Sequence, residues 1–189
     1  MTAVLFNTTE TTSPTTQEWS IDPAHTQVGF SVKHLMITNV KGRFPAVSGT
    51  IRLDPAAGQQ EVDVSIDASS ITTGDPKRDA HLRSADFLNV DQYPTIKFQA
   101  ARLQGNVDSK FTLDGELTIR GVTHPTTLYV VAEGQATDPW GNTKAGFSAT
   151  TTINRRDFGL EWNVALEAGG VLVGDEVRIT IEAQLVRQN

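Results

Sequence analysis

The chain contains no cysteine, only two methionines and no long apolar run. Without cysteine there are no disulfides, no thiolate metal sites and no thiol nucleophile. A disulfide-free chain folds in either redox climate, so this absence leaves the compartment open. No apolar stretch approaches the ~20 residues of a membrane-spanning helix, which argues against stable membrane insertion. Basic charge is also in short supply. Sixteen Lys and Arg face 22 Asp and Glu, a net charge of −6. The cations are scattered, densest at Lys77-Arg78 with Arg83 and at Arg155-Arg156. An acidic chain without a basic stripe lacks the electrostatic footprint of a nucleic-acid binder. Residues 1–20 have no basic segment followed by an apolar core, which is the form of an export leader. As written, the chain is therefore expected to be cytoplasmic; with an incomplete N-terminus the expectation changes to periplasmic or extracytoplasmic.

What is present is enough for one domain. The 189 residues, 38% hydrophobic and 20% charged, can bury a core without a metal or disulfide staple. Residues 2–16 hold seven threonines and no lysine or arginine. This predicts a disordered Thr-rich tail over 1–18 and a single folded domain over 19–189.

Within that domain the hydrophobic period is two. Alternating sets run through Val28-Phe30-Val32, Val47-Gly49-Ile51-Leu53, Val62-Val64-Ile66 and Ile96-Phe98-Ala100. Four more follow at Leu113-Gly115-Leu117-Ile119, Leu128-Val130-Ala132, Phe147-Ala149-Thr151-Ile153 and Val177-Ile179-Ile181-Ala183-Leu185. Turn signals such as Asp54-Pro55, Gly105-Asn106 and Gly141-Asn142 separate them. Eight short strands without helical interleaving predict an antiparallel barrel or sandwich. One stretch departs from the pattern. Asp75 as an N-cap and Pro76 at the first helical position predict a short helix over 77–88.

Small residues at Gly49, Ala100, Gly115, Ala149 and Thr151 fall in register with the inward apolar ones. Eight closed strands leave room for their own side chains or for one small ligand. Small inward residues either open such a cavity or let the sheet bend and pack closely; both readings stay open on periodicity alone.

Several blocks, in order, carry a specific resemblance. They include Trp19-Ser20-Ile21-Asp22-Pro23-Ala24-His25-Thr26, Val40-Lys41-Gly42-Arg43-Phe44 and Arg78-Asp79-Ala80-His81-Leu82-Arg83-Ser84-Ala85-Asp86-Phe87. Tyr93-Pro94-Thr95-Ile96-Lys97-Phe98, Gly115-Glu116-Leu117-Thr118-Ile119-Arg120-Gly121-Val122-Thr123 and Ile153-Asn154-Arg155-Arg156-Asp157-Phe158-Gly159-Leu160 follow. Together they resemble the YceI-like family of bacterial lipocalin-like, polyisoprenoid-binding proteins, over about residues 19–185. The resemblance implies an all-β, eight-stranded antiparallel lipocalin-like barrel with one short helix and an apolar central tunnel. It implies a long-chain amphiphile as partner, such as a polyprenyl phosphate or an isoprenoid quinone, held for transport, storage or a stress response. Many members carry an export signal, which this sequence does not show.

On that frame the expected tunnel wall is Phe30, Val32, Ile66, Phe98, Leu117, Ile119, Phe147, Ile153 and Trp162; the alternative for each is ordinary barrel core. Arg78, His81 and Arg155 are the head-group candidates, since guanidinium forks suit phosphate. Their alternative role is to lock the helix and loops onto the barrel, which is the favoured one for Asn154-Arg155-Arg156-Asp157.

No cofactor or metal is expected. Histidines 25, 34, 81 and 124 lie far apart in sequence, without the close spacing of a zinc site. An enzyme of isomerase or cyclase type would draw on Asp79 and His81, but residues two apart on a helix point in different directions. No Gly-x-Ser-x-Gly elbow is present. Two other readings remain beside the carrier: an enzyme acting on such a lipid, and a ligand-free structural or stress barrel. The oligomeric state is open between a monomer and a homodimer formed through an exposed sheet edge.

Overall fold

The computed structural model describes residues 16–54, 59–167 and 170–188. The predicted tail lies outside these residues except at its end. The first strand, β1 (Gln17–Ile21), starts two residues ahead of the expected boundary. There follow β2 (Gln27–His34), β3 (Thr38–Phe44), β4 (Val47–Asp54) and β5 (Gln59–Asp67). After the helix α1 (Pro76–Arg83) come β6 (Thr95–Gly105), β7 (Lys110–Ile119), β8 (Val122–Thr137), β9 (Thr143–Asn154) and β10 (Val173–Arg187).

The ten described strands make an eight-stranded barrel because two of the eight are broken once each. From β4 to β10 every strand pairs antiparallel with the next. β10 then pairs with β2 along its first part and with β1 at its end, as Ile181 with Val28 and Trp19 with Arg187. On their other side, β1 pairs with β4 and β2 with β3. Thus β1 and β2 are two halves of one barrel strand, and β3 and β4 are two halves of the next. The sheet edge left over is the outer side of β3, where Arg43 bridges to Thr72.

The break between β1 and β2 is a turn of 3₁₀ helix at Pro23–His25. Asp22 caps it and ties it down. Its carboxylate accepts from the Ala24 amide, from Lys144 Nζ at 3.1 Å and from Gln184 Nε2 at 2.9 Å, and pairs with His25 Nδ1 at 2.9 Å. Burial works against the charge, but these bonds outweigh it and hold the carboxyl at about 2.

Eight alternating segments of the sequence correspond to β2 and β4 to β10; β1 and β3 were not among them. In β3 the position facing Phe30 is Gly42, and a Cβ there would run into the Phe30 ring. A glycine in the inward row removes one hydrophobe from a seven-residue strand, and the period disappears. β1 is five residues long, with Trp19 buried as its main apolar mark.

The helix begins as predicted. Asp75 accepts from the Lys77 and Arg78 amides, and Pro76 takes the first turn. It ends at Arg83, five residues before the expected limit, and turns carry the chain on so that Phe87 and Leu88 are buried in the barrel. α1 has no apolar stripe to bury, so hydrogen bonds hold it in place. Arg83 donates to the Ser69 and Ile71 carbonyls, each at 2.7 Å. Asp79 accepts from the Thr73 amide at 2.7 Å, Thr73 Oγ1 at 2.6 Å and Thr72 Oγ1 at 3.2 Å.

Candidate functional site

A cavity of about 810 Å³ runs along the barrel axis. It starts beside α1 and Leu160, Trp162 and Leu172, the head, and reaches Gln17, Val107, Asp108 and Arg187 at the opposite end, the foot. Its walls follow from strand alternation. Val62, Val64 and Ile66 of β5 face it, as do Ile179, Ile181, Ala183 and Leu185 of β10, while the intervening residues face outward. All nine side chains named as wall candidates line this cavity: Phe30, Val32, Ile66, Phe98, Leu117, Ile119, Phe147, Ile153 and Trp162.

The small inward residues divide into two groups. Ala149 and Thr151 line the cavity and help to keep it open. Gly49 and Gly115 do not border it. A Cβ on Gly115 would strike the Gln99 carbonyl and the Phe98 ring, and one on Gly49 the Asp63 carbonyl. These two glycines let neighbouring strands coil tightly, the packing alternative raised by the sequence.

The polar groups of the lining are distributed unevenly. Lys33, His34, Arg78, His81 and Arg155 lie at the head, and Arg187 and the one carboxylate among the lining residues, Asp108, lie at the foot. Lys33 and His34 are not among the head-group candidates of the sequence; their place at the head follows from where β2 stops.

Arg78 donates through Nε to Thr73 Oγ1 at 2.7 Å and through Nη2 to the Thr73 carbonyl at 3.2 Å. Its Nη1 has no hydrogen-bond partner among the described residues. His81 pairs through Nε2 with Asp86 at 2.8 Å, leaving Nδ1 without a partner among them. Its ring stands edge-on to Phe87 and Trp162, with centroids 5.0 and 4.7 Å away. Trp162 therefore roofs the head of the cavity against the helix.

Arg155 requires a correction. It borders the cavity, but its guanidinium is committed elsewhere. Nε donates to the Gly174 carbonyl at 2.9 Å, and Nη1 to the Leu160 carbonyl and, at 3.0 Å, to that of Trp162. Nη2 meets Asp175 at 3.2 Å. Burial depresses its pKa from the ordinary arginine value, and the Asp175 charge opposes that shift. Arg155 locks the segment carrying Trp162 over the barrel, and of the three candidates Arg78 keeps a free donor and His81 a free ring nitrogen for a ligand.

The acid–base pair considered from sequence does not form. Asp79 is turned to Thr72 and Thr73, and His81 to Asp86. Burial disfavours the Asp79 charge, but the bonds from Thr73 and Thr72, with the Arg83 charge, hold its carboxyl below the usual carboxylate range. It stays ionised at neutral pH and has no proton to give. Among the described residues no group of three or more His, Asp or Glu is arranged to hold a metal ion. No described helix is long and apolar enough to cross a membrane.

The model of the YceI-like domain matches residues 19–185. The chain belongs to the YceI-like family. A UPF0312 protein of Pseudomonas aeruginosa is 35% identical over 167 residues, covering 87% of this chain and 83% of that protein. The YCEI protein of Campylobacter jejuni, a solved structure, has 31% identity and a TM-score of 0.67, over 83% of this chain and 90% of that one. A polyisoprenoid binding domain from Saccharophagus degradans shares the fold at 16% identity, with a TM-score of 0.65 over 90% of this chain and 98% of its own. The lipocalin-like barrel implied by the family is the barrel found here, and the family match ends at Leu185, inside the last strand.

Proposed function

We propose that this YceI-like protein is a binding protein for a long-chain amphiphile of the polyisoprenoid class. The tail lies along the barrel axis, and a phosphate or quinone head sits beside Arg78 and His81. The observation that carries this reading is the lining of the tunnel: an apolar wall between its ends, with Lys33, His34, Arg78 and His81 gathered at the head and Arg187 and Asp108 the charged lining residues at the foot. The Saccharophagus degradans domain, described as polyisoprenoid binding, supports the choice of ligand class.

The magnitudes fit. At about 810 Å³ the cavity falls in the upper part of the ~300–1,000 Å³ range of small-ligand sites. Burying an alkyl chain yields ~0.8 kcal/mol per CH₂, against ~4–15 kcal/mol of lost freedom and ordering. A tail of about ten carbons breaks even on these terms, and one several times longer binds tightly. The tunnel selects for length and discriminates weakly by chain identity, because one methylene is worth only ~1–3 kcal/mol. With Asp79 and His81 turned to separate partners, the site is suited to holding a lipid rather than converting it.

Native mass spectrometry of the purified chain, followed by organic extraction, tests this. A stoichiometric prenyl lipid or quinone is the expected result. An empty protein that takes up no added geranylgeraniol or prenyl phosphate would overturn the reading.

A further inference from the structure

The hairpin of β2 and β3 has a tip that the barrel does not need. Leu35, Met36 and Ile37 stand there 38%, 56% and 75% exposed. The Ile37 amide donates to the His34 carbonyl at 3.1 Å and closes a tight turn. Leu35 and Met36, its two central residues, both have positive φ, at 52° and 61°. A turn with two left-handed centres is the natural place for Asn-Gly. Large aliphatic side chains are held there against their backbone preference. Three adjacent apolar groups thus face water on a frame that favours other residues.

The surroundings indicate what covers them. Between residues 23 and 53 the sequence has no Asp or Glu, although the chain as a whole carries −6. Lys33, Lys41 and Arg43 fall in this stretch. In the hairpin register Lys41 and Arg43 sit opposite Ser31 and Gly29, which alternate with the tunnel-facing Val28, Phe30 and Val32, and the exposed Lys33 continues that row at the rim of the cavity, so the outer face of the hairpin is cationic. The tip is also close to the tunnel. His34 on one side and Leu172 on the other both line the cavity, and the Leu35 amide donates to the Leu172 carbonyl at 2.8 Å.

We infer that this tip is a membrane-docking element. Leu35, Met36 and Ile37 enter the head-group region of an anionic bilayer, and Lys33, Lys41 and Arg43 face the lipid phosphates. Docking sets the head of the tunnel against the bilayer, so that a long tail passes between the two without crossing water. The small apolar wedge and few cations give reversible, salt-sensitive association rather than anchoring. The passage of lipid rests on the function proposed above; the docking does not.

The test is co-sedimentation of the full chain with vesicles of equal parts phosphatidylglycerol and phosphatidylcholine, free of isoprenoid. The protein is expected to sediment with them, less so at high salt and little with phosphatidylcholine alone. The double variant Leu35→Asn, Met36→Gly installs the favoured turn. Its unfolding midpoint is expected to hold or rise while vesicle partitioning falls about ten-fold, which separates lost docking from misfolding. Absence of wild-type protein from anionic vesicles, or unchanged binding by the double variant, would overturn the inference. So would a dimer that the double variant dissociates without any vesicle binding, which would assign the tip to a second copy. Uptake of geranylgeraniol from detergent is measured separately. A chain that takes it up but does not dock overturns docking alone; one that docks but takes up none retains the docking surface and loses the proposed cargo.

Discussion

The head and the foot of the barrel are held together by different physics. At the head, polar groups are buried and paired: Arg155 reaches three main-chain carbonyls and Asp175, Arg83 holds two more carbonyls, and Asp79 takes three donors. At the foot, Trp19, Ala145 and Leu185 form an apolar cluster with Ile21, Ile51, Leu53 and Phe147 against it. Trp19 Nε1 is the one buried side-chain polar atom left without a partner among the described residues. Directional bonds place side chains to within a narrow geometry, whereas apolar contact tolerates sliding. A head group that must be recognised and a tail that need only be sheltered call for these two environments respectively.

The contrast is broken most strongly at Arg155. Arg155→Met strips three carbonyls of their donor, leaves Asp175 paired with Arg156 alone and is expected to cost about 3–5 kcal/mol in urea unfolding, because the segment carrying Trp162 loses its lock. Overpacking comes next. Ala149→Phe fills the tunnel, abolishing uptake of a prenyl probe at a stability cost of ~1–3 kcal/mol. Gly115→Phe has no space to enter and is expected to exceed that cost, which separates a residue that opens the cavity from one that lets strands coil.

Arg78→Ala addresses the head group, with the loss also of two hydrogen bonds to Thr73. Loss of a charged hydrogen bond, worth ~1.5–3 kcal/mol, weakens a prenyl phosphate roughly ten- to a hundred-fold and leaves the matching uncharged prenol little changed in a competition assay. Acid titration probes the hinge between β1 and β2. Asp22 has its pKa lowered from 3.8 to about 2, so its contribution is whole above pH 4 and is lost as pH falls towards 2. In Asp22→Asn, melting temperatures followed across that window should flatten relative to wild type. The smallest effect is at the foot: Trp19→Phe removes the unpartnered donor along with some apolar area, and the unfolding midpoint should shift by less than ~1 kcal/mol.

How much of this was legible beforehand varies along the chain. Val62-Val64-Ile66 could be read as a strand because one face meets the tunnel and the other meets water. The same pattern cannot distinguish a hollow barrel from a filled one, since Phe98 and Leu117 would look alike in either. Strand tilt and closure decide that, and they are properties of the whole sheet. The broken strands were hidden because Gly42 is small where an inward hydrophobe was expected and because Pro23 sits between two halves of one strand. Arg155 shows a different limit: its residue type suits phosphate and main-chain carbonyls equally well, and only the placing of the Leu160, Trp162 and Gly174 carbonyls shows which it meets.

Closure through β10 has a consequence for how the protein is made. The strands that shut the barrel come from opposite ends of the chain, with Trp19 beside Arg187 and Val28 beside Ile181. Such distant pairings form late and slowly. A ribosome that stops before residue 173 releases a sheet whose apolar inner face has no last staff, as in an unfinished cask, and such a face is prone to aggregate. The compartment for a greasy cargo thus comes into being only with the final strand, and a truncated copy cannot pass for an empty carrier.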